Sequence, residues 1–579
     1  MDLHLVQTLV TTSRTYRYDP LIHPQFEVRV LTLLPSREST APLRGRLTVE
    51  TSSIQYEALS YVWGDSTTCQ ILHIGNEELA MSEGLYQALK RLRYPTKARD
   101  LWVDAVCINQ SSNEEKKYQV QQMYKIYSNA VRVLIWLGEG DEETDEAMRL
   151  IQEKGVRQDV ELVMKIFTRP WWSRIWTLQE GLAAPSNSLM MCGDKVVPWW
   201  LAHSAIIQLV VANRGLHDLP GLGAFSNINT HRHRNVTTLE DLVYASTTRS
   251  GTDPRDNIYA LLGLVQVKQH VLFEPDYAKP ASWAYQKATA YIIQQRRDLE
   301  FLALRARQDT NLVPSWCFDF SSKDVLRSSV SPGTRGGIFS SYFASGGQEH
   351  HFGFDHNESR GTIKVPGVIV GTVTEIFVAT SKDPAPHQEQ EEDLLQPTTI
   401  ALIQSVKSFT GVCRRVWTDR ANPYHAISKV LAGDVWRIVA GGCQRNNEEL
   451  WEAISGDGAE YRTMYNIAGH RFEPSITDAP NIHTARKRIQ YLARKFVNNK
   501  SFFVTDTNYA GSASKSIQSG DVICVLFGCK HPLILRPYED DTYRIVTAAY
   551  VHDIMTGGYF YFVTERHPIE RPVIHFKIR

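Results

Sequence analysis

Leu101-Trp-Val-Asp-Ala-Val-Cys-Ile-Asn-Gln110 decides the fold class. Apart from Asp104 it is an unbroken apolar run, the pattern of a strand over 101–108 buried on both faces, as in a parallel sheet covered by helices. A carboxylate in such a strand needs a partner or a task. Asp104 therefore has two readings: a buried acid satisfied by neighbouring backbone amides, or a member of a functional site.

On the N-terminal side, Phe26 to Leu34 alternates apolar and polar residues and stops at Pro35, a strand signal. Tyr56 to Val62 is a second strand, ended by Trp63-Gly64-Asp65. From Leu85 the apolar positions 85, 88, 89 and 92 keep helical spacing behind Ser82, a candidate cap. On the C-terminal side, Ser111 or Ser112 with Glu114 or Glu115 forms a capping box. It opens a helix carrying Val120, Met123, Tyr124 and Tyr127 on one face. Val131 to Leu137 is the next strand, closed by Gly138-Glu139-Gly140. Strand, helix, strand, helix, strand in this order predicts a doubly wound, mainly parallel α/β sheet.

Beyond it, acidic residues 141–146 lead a helix ending near Gly155, and another ends at Arg169-Pro170. In Trp171-Trp-Ser-Arg-Ile-Trp-Thr-Leu-Gln-Glu180, Trp172, Trp176 and Glu180 fall four apart and are expected to share one helix face. The pattern divides the chain into an N-terminal extension with a strand (1–50), the α/β domain (51–200), a helical middle (201–320), a Gly/Ser-rich and acidic connection (321–397) and a strand-rich α+β C-terminal region (398–579). No internal repeat is visible.

Composition narrows the function classes. The 579 residues carry 63 Lys+Arg against 63 Asp+Glu, so no global charge recruits nucleic acid. Eight cysteines without a CxxC suit reduced thiols in an intracellular protein. No apolar run reaches the ~18 residues that span a bilayer, and the first residues lack a signal-peptide pattern. A cytoplasmic protein is expected, so the sequons at Asn235, Asn357 and Asn499 read as chance. Neither a phosphate-binding GxxxxGK[ST] loop nor a GxGxxG after a strand occurs, which removes the main support for ATPase and dehydrogenase readings.

Ligands of open parallel sheets bind beyond the carboxyl ends of the strands, where strand order reverses. Standing there are Trp63, Gly64 and Asp65; Asn109 and Gln110; and Gly138 and Glu139. Short polar residues suit a sugar or a phosphate, and they are equally ordinary turn formers. Glu180, on a face with two tryptophans, is either partly desolvated and fit for proton transfer or cation stabilisation, or solvated beside core tryptophans. Cys107 reads as a core thiol with no base nearby. His350, His351, Asp355 and His356 lack metal-ligand spacing, so no metal site is assigned. The basic residues around 486–495 read as a solvated helix face.

Five blocks in fixed order carry a resemblance: Tyr56-Glu-Ala-Leu-Ser-Tyr-Val-Trp-Gly64, Leu101 to Gln110, Gln119 to Tyr127, Val133-Leu-Ile-Trp-Leu-Gly138 and Arg169 to Glu180. Together they resemble the HET domain of fungal heterokaryon-incompatibility proteins. Fainter likeness extends to Phe26–Leu31, Asp253–Gly263 and Gly520–Leu526. The chain departs from the family pattern at Glu115-Lys116, where an acidic-arginine pair is usual, and at Tyr550 to Gly558, which replaces a His-Gly and Gly-Glu ending. The resemblance implies non-self recognition between fungal cells ending in programmed cell death. It also implies a remote likeness to TIR domains, with their flavodoxin-like sheet, several of which cleave NAD where a tryptophan precedes a catalytic glutamate. On that implication Glu180 is the catalytic candidate, with Trp63, Gly64, Asp65, Asp104, Asn109, Gln110 and Trp176 lining the substrate site. NAD is then substrate and no cofactor is needed. The rival expectation is a non-catalytic module, or a degenerate paralogue, in which self-association or a protein partner uses the tryptophan-rich face as contact surface.

Overall fold

The computed structural model describes residues 14–51, 55–64, 69–212, 238–265, 273–305, 312–323, 344–345, 354–357, 361–378, 500–514, 516–551, 554–555 and 572–579. The chain divides into two compact units, Met1–Ala288 and Thr289–Arg579. Among the described residues no helix is long and apolar enough to cross a membrane.

The first unit is built on a ten-stranded sheet. Its strands in chain order are β1 (Arg14–Thr15), β2 (Val28–Leu33), β3 (Leu43–Glu50), β4 (Glu57–Ser60), β5 (Cys69–Ile74), β6 (Glu77–Ser82), β7 (Arg99–Trp102), β8 (Arg132–Trp136), β9 (Leu189–Cys192) and β10 (Lys195–Pro198). They lie in the order β1-β6-β5-β3-β2-β7-β4-β8-β9-β10. The block β7-β4-β8-β9 is parallel. β2 joins β7 antiparallel, and β10 closes the far side antiparallel to β9. The sheet is thus mixed: five of its nine pairings are parallel, and the hairpins β2-β3, β5-β6 and β9-β10 with the β2-β7 pair supply the antiparallel ones. Chain order reverses at β4, because β7 follows it on one side and β8 on the other.

Local chemistry sets the helices. Helix α1 (Glu83–Leu92) starts where the Ser82 side chain accepts from Leu85 N, and buries Leu85, Ala88, Leu89 and Leu92. The expected strand 101–108 is corrected: β7 ends at Trp102, and Asp104–Cys107 is a single helical turn, α2. Val103 remains extended. The apolar run is continuous because strand end and turn are both buried, with Val103, Val106 and Cys107 at 1% exposure or less; apolarity alone does not separate the two. Asp104 accordingly sits just past a strand end.

Helix α3 (Asn113–Asn129) is capped by Ser112, but the Glu115 side chain does not return to the cap. It takes Arg29 instead, in a buried pair, and accepts from Asn109 N at 2.7 Å. Arg29 also donates to Cys107 O and Asp19 O. The loop after α2 is therefore fastened by a fully engaged ion pair, the form in which buried charge is tolerated. Helix α4 (Glu142–Gln152) has a true capping box at Asp141 and Thr144, and α5 (Val160–Phe167) follows. The expectation that Trp172 shares a helix with Glu180 is also corrected. Pro170–Ser173 is a 3-10 turn and helix α6 spans Trp176–Ala183. Pro170 fixes the tight turn, and Arg174 is extended between the two. Helix α7 (Trp199–Ala212) and helices Leu239–Ala245, Asp256–Leu262 and Ala281–Arg296 follow.

The second unit holds helix Glu300–Arg305 and a nine-stranded sheet. Its strands are β11 (Asp355–Asn357), β12 (Thr362–Val378), β13 (Lys500–Thr505), β14 (Ala510–Ser514), β15 (Val522–Leu526), β16 (Leu533–Tyr538), β17 (Thr542–Ala548), β18 (Tyr550–Val551) and β19 (Ile574–Ile578). β15, β16, β17 and β19 pair in succession, and both β19 and β15 pair with β12. These five strands close into a ring, which leaves no open edge among them. β12 accommodates this by its length and by register shifts at Ile369/Gly371 and Val373/Glu375. Val368, Val370, Ile523, Val525 and Ile534 from three of these strands join one buried hydrophobic cluster.

Candidate functional site

At the carboxyl end of β4, Ser60 is fully buried and its hydroxyl donates to Glu180 Oε2. Trp171 Nε1 donates in turn to Ser60 Oγ at 2.8 Å. Glu180 reaches this point because α6 packs on β4 and β8, and it is only 3% exposed. Burial pushes its carboxyl up to about 7, helped by the nearby Asp104 charge and opposed by Arg174, the Ser60 bond and Arg249.

Asp104, from the turn after β7, accepts from Trp63 Nε1 at 2.8 Å and from Ala105 N at 2.7 Å. It also takes a hydrogen bond from the Tyr61 side chain. Burial raises its carboxyl, against Arg174 and these donors. The phenol of Tyr61, buried beside Asp104, is held well above its usual range. Arg174 Nη1 donates to Tyr61 O at 2.7 Å, and its guanidinium lies 5.9 Å from the centre of the Trp63 ring. Arg249, 2% exposed, donates to Arg174 O at 2.9 Å and Thr177 Oγ1 at 2.8 Å. Its own desolvation lowers it to about 9, against the pull of Glu180. Two carboxyls and two guanidiniums thus meet where strand order reverses, a setting that keeps one carboxyl near half-ionised at neutral pH.

The sequence-expected residues divide. Glu180, Asp104 and Trp63 come together. Gly64 stands beside them at φ +73° in open space, a conformation that suits glycine. Asn109 and Gln110 shape the loop instead: Asn109 Oδ1 accepts from Ser111 N and Oγ, and Gln110 Nε2 donates to Asp104 O. Trp176 points elsewhere, donating from Nε1 to Asp256 Oδ2 at 2.9 Å. Asp256, also held by Tyr277, is raised by burial to about 6. Asp65 lies outside the described residues, as do His350, His351 and the basic run 486–495. Cys107 is buried, with burial raising its thiol to about 12, which suits a core residue. Trp171 and Trp172 are fully buried, so the expected tryptophan contact surface is corrected: Trp172 packs edge-on against Trp171 and donates to Ile166 O. Sequence reasoning did not single out Ser60, Tyr61, Trp171, Arg174 or Arg249. The first four lie within the blocks quoted above, but their meeting spans 111 to 120 residues of chain, beyond any periodic signal.

Comparison with known proteins adds the family context. Residues 56–180 match the family described as heterokaryon incompatibility protein (HET). Residues 448–567 match the Het-6 beta-barrel domain, a stretch that includes six strands of the second sheet's path, β13 to β18. The heterokaryon incompatibility protein 6, OR allele, of Neurospora crassa is 24% identical, with 95% of this chain and 97% of that protein covered. No solved structure matches the chain.

Proposed function

We propose, from the similarity of this chain to the fungal heterokaryon-incompatibility proteins, that it acts in non-self recognition through cleavage of the nicotinamide–ribose bond of NAD, leading to cell death. The observation that carries this reading is Glu180: a buried carboxyl brought to about 7, placed with Asp104 where strand order reverses. Departure of nicotinamide leaves an oxocarbenium-like ribose, and a carboxylate fixed beside it stabilises that charge. Asp104 shares the field, Arg174 and Arg249 limit the repulsion between the two acids, and Trp63 stands at the exposed rim, 38% accessible.

The test is nicotinamide release from NAD by the purified chain and its Glu180→Gln variant. Removing the charge-stabilising group is expected to lower turnover at least about a hundredfold. Equal turnover by both, or none by a folded wild type, overturns the reading. A second reading, a protein-interaction module, draws on Trp200, Ile207 and Val211, which line one exposed face of α7 at 52%, 43% and 71% accessibility. Full cell-death activity in a Glu180→Gln strain favours it.

A further inference from the structure

Glu180 and Tyr61 are each 3% exposed and Ser60 is fully buried. In this state no substrate reaches the carboxyl on which the reading above rests. The backbone that runs on from Ser60 is the short stretch Tyr61–Gly64, which is packed into the core at Tyr61 and carries three polar ties. Arg174 Nη1 donates to Tyr61 O at 2.7 Å in a partly buried setting. The Tyr61 side chain bonds Asp104. Trp63 Nε1 donates to Asp104 Oδ2 at 2.8 Å, and here alone the donor ring is exposed, at 38%. Water competes for that last bond, so it is the first to open. Gly64, at φ +73° and, among the described residues, with no atom beyond its chain neighbours within 4 Å of an added Cβ, gives the stretch a pivot on its far side.

We infer that Tyr61–Gly64 is a strap that closes access to Glu180, and that the Trp63 indole bonded to Asp104 is its latch. The inference depends on Glu180 being the working group. Substrate enters when the indole leaves Asp104 and the strap swings about Gly64, while Arg174 keeps hold of Tyr61 at the near end. The latch residue and the site acid are one and the same Asp104, so a ligand that engages Asp104 displaces Trp63 as it binds.

Carboxyl labelling tests this without NAD. The wild-type chain is treated with a water-soluble carbodiimide and an amine, and modification is followed by peptide mass spectrometry. Exposed Glu142 and Glu161 serve as internal references. Glu180 is expected to react at least about tenfold more slowly than the references, and several-fold faster in Trp63→Phe, which keeps a ring and lacks the N–H donor. Reaction of wild-type Glu180 at the reference rate, or no acceleration in Trp63→Phe, overturns the strap. Hydrogen exchange on the wild type gives an arm that needs no variant. The Tyr61–Trp63 amides should exchange well ahead of Leu59 and Ser60 in β4, and equal protection overturns the proposal. Loss of NAD turnover in Glu180→Gln belongs to the catalytic reading alone, so the two fail separately.

Discussion

Each unit of the molecule buries a glutamate against a strand end, and the two behave in opposite ways. In the second unit Glu300, 9% exposed, has His531 Nδ1 at 2.7 Å and accepts from Lys530 N at 3.1 Å. Burial alone would push its carboxyl up, but His531 and the Lys530 backbone outweigh it and leave it below its usual range. In the first unit Glu180 has a hydroxyl donor, a second carboxyl and the opposing pull of Arg174 and Arg249, and burial still carries it up to about 7. A buried acid given an imidazole and a backbone donor is a structural tie. One given a hydroxyl and a like charge holds its proton into the neutral range, which is wasteful for stability and useful for chemistry.

The comparison is most easily broken at Glu300. His531→Ala leaves a buried carboxyl without its partner and should cost about 3–5 kcal/mol, read as a fall in the denaturation midpoint. A loss below about 1 kcal/mol would mean that the tie is not what holds Glu300. The next effect is in pH dependence. Glu180 binds a proton more tightly folded than unfolded, so its contribution is fully present below its unfolded value near 4.5 and is lost as pH rises through about 7. Over that window stability should fall by up to about 3 kcal/mol, at 1.36 kcal/mol per unit. In Glu180→Gln the fall due to this group should vanish; an unchanged profile would assign it elsewhere. Asp256, raised to about 6, adds a slope of the same sign that survives in that variant. Smallest is Ser60→Ala, which removes the donor that favours the charged carboxylate and the hydroxyl that accepts from Trp171 Nε1. The Glu180 midpoint should move upward, with about 1–2 kcal/mol of stability lost. A downward shift would contradict the hydrogen-bond direction.

Much of the first unit was legible because its signals are local. Ser82 caps a helix where the sequence places it, a helix follows the start of the acidic run at Asp141 as expected, and the strands at 28–33, 57–60 and 132–136 fall inside the expected runs. The turn at Asp104 was not, since a buried helical turn and a buried strand end share one apolar pattern. β3 was missed because Arg44 and Arg46 flank Gly45, a residue that weakens any strand signal. The glycine is there because an added Cβ would come within 2.6 Å of the Leu31 side chain. Of the site, Glu180 and Asp104 stood out as carboxyls among apolar neighbours, while Ser60 and Arg249 look ordinary until tertiary contacts bring them together.

The ring in the second unit sets a timetable. β12 takes one neighbour from Ile574–Ile578, about 200 residues downstream, so on a growing chain that seam stays open until those residues have left the ribosome. The ten strands of the first sheet all lie before Trp199 and can pair far earlier. During synthesis the cell therefore holds a chain whose α/β half can be finished while the long strand β12 still shows a bare flank, and that interval is when a chaperone has most to do.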